Sequence, residues 1–167
     1  MTSPFRLEPL SGAHDRKSFA CGVDALDRYF HTQVSQDIRR SVTTCYVAVD
    51  NAMPKVAGYY TLAAGGIALS DIPANLAKRL PHYPSVPVAL MGRLAVDRTY
   101  RGRGIGSGFV GDALKRALRS EIAVFALIVD SKDEQAESFY RHHGFIAFGS
   151  SPRRLILPVK NIKAGSQ

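Results

Sequence analysis

Arg101-Gly102-Arg103-Gly104-Ile105-Gly106 follows the apolar stretch Val86 to Val96, which is interrupted by Gly92, and leads into an amphipathic one. Ile105, Phe109, Val110, Ala113, Leu114, Ala117 and Leu118 recur at i, i+4, i+5, i+8, i+9, i+12 and i+13, one apolar stripe of a helix. The order is therefore strand, glycine-rich loop (Arg98 to Gly106), helix. Glycine admits positive φ and lets a ligand approach the backbone closely. Successive N–H groups at a helix start, with the helix dipole behind them, attract anions. Arg101 and Arg103 add positive charge. A pyrophosphate is the natural ligand of such a loop.

Two other phosphate motifs do not fit. A P-loop needs Gly-Lys-Ser/Thr at its end, and none follows. Gly106-Ser107-Gly108-Phe109-Val110-Gly111 has Rossmann spacing, with Asp130 about 20 residues on. Its glycines fall inside the helical stripe, however, well after the strand ends near Val96, where the fingerprint needs the turn at once.

Outward from the loop, the chain reads as one compact α/β unit without repeats. Cys21 to Arg40 carries Leu26, Tyr29, Phe30 and Val34 at helical spacing, with Asp24 placed to cap its start. Thr43 to Val49 and Lys55 to Ala64 predict a hairpin across the turn Asp50 to Pro54. Pro73 to Leu80 predicts a short helix. Ile122 to Val129 is continuously apolar, the pattern of a strand buried on both faces. Glu134 to His142 predicts a helix that Gly144 terminates, and Phe145 to Phe148 and Arg154 to Val159 are the last strands.

The 167 residues are 46% hydrophobic, enough for the core of a single domain, placed at 1–160 with a flexible tail at 161–167. No apolar run reaches the roughly 18 residues of a membrane span. Met1 to Gly12 lacks the apolar centre of a signal peptide. Two cysteines, Cys21 and Cys45, rule out a disulfide framework and a zinc cage of cysteines alone, and none of the five histidines has metal spacing. A cytoplasmic protein with free thiols is expected, with no membrane partner and no metal. The net charge of +8 and pI near 9.8 favour polyanionic partners.

Arg101, Gly104 and Gly106, after Arg93-Leu94-Ala95-Val96, resemble motif A of the GNAT acetyltransferases, Arg/Gln-x-x-Gly-x-Gly/Ala. Asp133, Ala136, Phe139, Tyr140, Gly144 and Phe145 resemble motif B, Asn-x-x-Ala-x-x-x-Tyr-x-x-x-Gly-Phe, with Asp133 departing from the usual Asn. Phe19-x-Cys21-Gly22, Leu26-Asp27-x-Tyr29-Phe30, Gln36-Asp37, Gly58-Tyr59-Tyr60-Thr61-Leu62, Leu80-Pro81-x-Tyr83-Pro84 and Gly92-Arg93-Leu94-Ala95-Val96-Asp97 extend the likeness over nearly the whole chain, to the GNAT toxins of bacterial toxin–antitoxin pairs.

The resemblance implies the GNAT fold, an α/β (α+β) arrangement with a mixed, mostly antiparallel sheet flanked by helices. It implies acetyl-CoA as co-substrate, its pantetheine along Leu94, Ala95 and Val96. Its pyrophosphate would lie on Arg101, Gly102, Arg103, Gly104, Ile105, Gly106 and Ser107, and Asp133 and Phe139 would complete the cofactor site. A backbone N–H near Leu94 would stabilise the developing oxyanion. Tyr140 would protonate the departing thiolate; helical spacing alone would make it the partner of Phe139 in an aromatic core pair.

The toxin likeness further implies acetylation of the α-amine of aminoacyl-tRNA, blocking translation, and a homodimer restrained by a ribbon-helix-helix antitoxin. Arg39, Arg40, Lys78, Arg79 and Arg93 would take tRNA phosphates. No carboxylate stands out as base; Asp97, Asp130 and Asp133 could equally be cap or turn residues. An α-amine of pKa about 7.7 to 8.0 is partly neutral at pH 7 without one, whereas a lysine near 10.4 is not. Two alternatives stay open: acetylation of a protein or small-molecule amine, and a CoA-binding module without turnover.

Overall fold

The computed structural model describes residues 3–151 and 153–160, so the proposed tail at 161–167 lies outside the described residues. The elements are β1 (Phe5–Pro9), α1 (Asp24–Arg28), a π-helical turn (Tyr29–Gln33), α2 (Val34–Arg39), β2 (Thr44–Asp50), β3 (Val56–Ala68), α3 (Ala74–Ala77), β4 (Ser85–Val96), α4 (Ile105–Arg119), β5 (Ala126–Asp130), α5 (Glu134–His142), β6 (Ile146–Ala147) and β7 (Arg154–Pro158). The strands pair in the order β1-β2-β3-β4-β5-β7-β6. β4 and β5 are parallel from Val88 beside Ala126 to Met91 beside Val129, whereas β1–β2, β2–β3, β5–β7 and β6–β7 are antiparallel. The sheet is thus mixed and mostly antiparallel, as expected.

Contacts divide the chain into one compact unit of residues 1–63 and 92–112 and another of 64–91 and 113–167. In the first, Tyr59 and Tyr60 of β3 are both fully buried, and they point to opposite faces as strand neighbours must. Tyr59 stacks on Phe30 at 4.3 Å and meets Phe19 at 5.5 Å, so the α1–α2 segment covers one face. Tyr60 packs on Phe109 of α4 at 5.0 Å and donates its hydroxyl to Asp112 Oδ2 at 2.5 Å, so α4 covers the other. Gly58, on the Tyr60 side, admits this approach: a Cβ there would stand 3.0 Å from the Phe109 ring. In the second unit, Ile72 and Leu76 pack on Val86, Val88, Ala126, Ile128, Phe148 and Ile156. No helix among the described residues is long and apolar enough to cross a membrane.

Several expectations change. β1 is an additional strand, whose alternating Phe-Arg-Leu-Glu ends on Pro9 at the sheet edge, where proline is tolerated. Asp24 does not cap α1: the N-cap is Val23, without a side-chain bond, and Asp24 is the first helical residue. Of the run Ile122 to Val129 only Ala126 onward is strand, and Ile122 is 78% exposed. β3 runs four residues further than Ala64, to Ala68.

Candidate active site

The phosphate loop in the first unit is built from the end of β4. Asp97 Oδ1 caps a 3-10 turn, Arg98–Tyr100, by accepting the Thr99 N–H at 2.9 Å and the Thr99 hydroxyl at 2.7 Å. Gly102 and Gly104 then take φ of +77° and +81°, and a Cβ on either would meet no heavy atom within 4 Å. The dihedral demands glycine at these positions, and the space before them is open. Ile105 drives the head of α4 into the core at 5% exposure. The helical ladder begins with Gly108 N–H to Gly104 O at 3.0 Å, so the amides of Gly104, Ile105 and Gly106 lie ahead of it. All glycines of the Rossmann-like spacing sit inside α4, so they form no strand-to-helix turn.

The two loop arginines are exposed but not idle. Arg101 Nη2 donates to Cys21 O at 2.5 Å. The Arg103 guanidinium lies 4.9 Å from the Phe5 ring centroid and 5.5 Å from that of Tyr100. Upstream on β4, Ala95 is buried between half-buried Leu94 and Val96. The Arg93 N–H donates to the buried Thr61 Oγ1 at 3.1 Å. Its guanidinium covers the Tyr29 ring at 3.6 Å. Tyr29 in turn donates to Asp37 Oδ2 at 2.7 Å. Burial and that bond push the Tyr29 hydroxyl up, and the same bond, with Gln33, holds Asp37 below the usual carboxylate range.

In the second unit α5 carries Tyr140. Asp133 is the N-cap of this helix, its Oδ1 accepting the Ala136 N–H at 2.8 Å, so the departure from Asn preserves a cap. Gly144, at φ +97°, ends the helix as its position predicts. Tyr140 is 7% exposed, edge-on to Phe139 at 5.2 Å and to Phe145 at 5.4 Å. Burial pushes its hydroxyl up to about 12. Phe139 is half-buried and also meets His143 at 4.8 Å.

A family model described as acetyltransferase (GNAT) family matches residues 14–145. The chain belongs to the GNAT acetyltransferase family. It is similar to the tRNA-acetylating toxin of Mycobacterium tuberculosis, at 33% identity over 157 residues, covering 93% of this chain and 92% of that one. It is similar to the solved structure of AtaT complexed with acetyl-methionyl-tRNAfMet, with TM-score 0.88, 28% identity and coverage of 98% and 99%. It is likewise similar to a mutant AtaT toxin bound to the C-terminus of the antitoxin AtaR and acetyl-CoA, with TM-score 0.79, 26% identity and coverage of 99% of each chain.

Within this GNAT chain the three candidate bases are all engaged. Burial would raise the Asp97 carboxyl, but bonds from Thr99 and the Ala20 N–H, with Lys55 at 3.8 Å, hold it below the ordinary value. Asp130 is paired with Arg154 at 3.0 Å, and Asp133 caps α5. Of the candidate phosphate-binding residues, Arg39, Arg40 and Arg93 are exposed in the first unit, and Lys78 and Arg79 in the second. The Arg93–Tyr29–Asp37 cluster and the clasp of Asp97 on Ala20 carry no local sequence signal. Their partners stand far apart in the chain, and only the π-helical turn, a feature frequent at functional sites, marks the place in the structure.

Proposed function

We propose that this GNAT acetyltransferase is a toxin that moves the acetyl group of acetyl-CoA onto the α-amine of aminoacyl-tRNA and so blocks translation. The observation that carries this reading is the likeness to a tRNA-acetylating toxin over more than nine-tenths of both chains. The loop geometry supports the donor half. Open space before Gly102 and Gly104 fits a pyrophosphate, and the backbone from Arg101 to Ser107 would hold it. Leu94, Ala95 and Val96 would align the pantetheine, and Phe139 and the Asp133 end of α5 would add to the cofactor site. Acetyl-CoA, when bound, supplies an activated acetyl thioester.

With acetyl-CoA bound, a backbone N–H near Leu94 would be the donor toward the thioester carbonyl oxygen. Tyr140, whose hydroxyl burial keeps protonated, serves the departing sulfur. Asp97, Asp130 and Asp133 each hold a structural bond, and an α-amine, partly neutral by its own equilibrium, needs a base less than lysine does. Arg39, Arg40, Lys78, Arg79 and Arg93 take tRNA phosphates. Residues 1–160 act as one catalytic domain, in a cytoplasmic homodimer.

The inhibitor would be a ribbon-helix-helix antitoxin. A DNA-binding antitoxin is basic and this chain carries +8, so contact runs through a separate apolar segment with acidic residues. Expression of the chain alone should arrest growth and translation, and co-expression of the neighbouring gene should relieve it. Undisturbed growth with the acetyltransferase activity intact, or a neighbour that neither binds nor inhibits, contradicts this reading.

A further inference from the structure

The four residues Phe19-Ala20-Cys21-Gly22 are tied on two sides within the first unit. Toward the phosphate loop, the Ala20 N–H donates to Asp97 Oδ2 at 3.0 Å, Ala20 O accepts the Arg98 N–H at 2.9 Å, and Cys21 O accepts Arg101 Nη2 at 2.5 Å. Toward the helical segment, the Cys21 N–H donates to Asp27 Oδ1 at 2.8 Å, and His31 Nε2 hydrogen-bonds Phe19 O at 2.7 Å. Asp97 is 3% exposed. A buried charge is costly unless its bonds are met, and two of those bonds go to the loop's own Thr99 while a third grips Ala20. Gly22 completes the clasp with φ +94°; a Cβ there would stand 3.1 Å from Arg101 Nη2.

We propose that Arg101 is a positioning residue: its guanidinium acts through the Cys21 carbonyl, coupling the phosphate loop to the α1–π–α2 segment that carries Arg39, Arg40 and the Tyr29 platform of Arg93. Phosphate is gripped by the backbone, and filling the loop orders the acceptor-side helices. This rests on the reading of the loop as the acetyl-CoA pyrophosphate site.

The test is hydrogen exchange of the full chain with and without CoA, alongside steady-state kinetics, for the parent, Arg101→Met and Gly22→Ala. The second variant keeps the guanidinium but crowds it, with a Cβ 3.1 Å from Arg101 Nη2 on a backbone at φ +94°. In the parent, CoA should slow exchange both at 98–110 and at 19–33. In each variant the loop should keep its CoA-dependent protection and 19–33 should lose it. kcat/KM for charged tRNA should fall about tenfold, inside the hundredfold range that a misplacement of about 1 Å can cause, with KM for acetyl-CoA little changed. The coupling is overturned if Arg101→Met loses CoA affinity while Gly22→Ala matches the parent, which makes the guanidinium a phosphate ligand. Unchanged protection of 19–33 in both variants also overturns it. Absence of protection at 98–110 in the parent overturns the site reading and the coupling with it.

Discussion

Tyr140 is a core aromatic to which the proposed reaction gives a second, chemical task. Its ring packs between Phe139 and Phe145 as any core aromatic would, while burial lifts its hydroxyl to about 12. Helical spacing alone makes the packing legible; the chemical role proposed for it rests on the motif around it. Tyr140→Phe should fold, bind CoA as the parent does and lose turnover by about 10² to 10⁴, the usual contribution of a positioned acid. Turnover equal to the parent's on charged tRNA would leave Tyr140 a packing residue.

A pH profile separates the groups. A raised folded pKa means that Tyr140 holds its proton up to about 12. The stability tied to that shift is complete below the unfolded value near 10 and is lost only as pH climbs through the folded one. Tyr140 therefore adds no alkaline limb to the rate between about pH 6 and 10. The rate should instead rise with pH through an acid limb at or below about 8, set by the acceptor's α-amine. A limb near 10 would point to a lysine acceptor. Asp97 was less legible than Tyr140, because its bond to Ala20 spans 77 residues and no local pattern announces it.

Among the elements, α4 and α5 were legible to within a residue, since amphipathic spacing and terminal glycines mark helices strongly. The five residues of β1 carry too little periodic signal to mark a strand, and apolarity alone does not say that the Ile122 end of the run Ile122 to Val129 stays uncovered. The glycines around the loop divide by function. Gly104 needs positive φ, so Gly104→Ala should cost about 1 to 2 kcal/mol, and Gly104→Val should abolish CoA binding measured by calorimetry. Gly111 is exposed within α4, and a Cβ there meets nothing. Gly111→Ala should raise stability by about 0.5 to 1 kcal/mol in urea melts with CoA affinity intact. Unchanged CoA affinity in Gly104→Val would remove the loop from the cofactor site.

For the whole molecule, the charge of +8 becomes specific once exposed cations are assigned to phosphates. Arg39 and Arg40 stand exposed at the end of the helical segment. Activity at low tRNA concentration should fall steeply with salt, and Arg39→Gln with Arg40→Gln should flatten the log–log slope by about 0.7 to 0.9 per lost phosphate contact. A slope identical to the parent's would place the tRNA elsewhere. The chain, acetyl-CoA and a pool of charged tRNA are incubated, and the 3′-terminal aminoacyl-adenosines are read by mass spectrometry. One acetyl group on the α-amine of the esterified amino acid is the predicted product. Acetyl groups found only on lysine side chains or small amines, with charged tRNA unmodified, would rule out aminoacyl-tRNA as the acceptor.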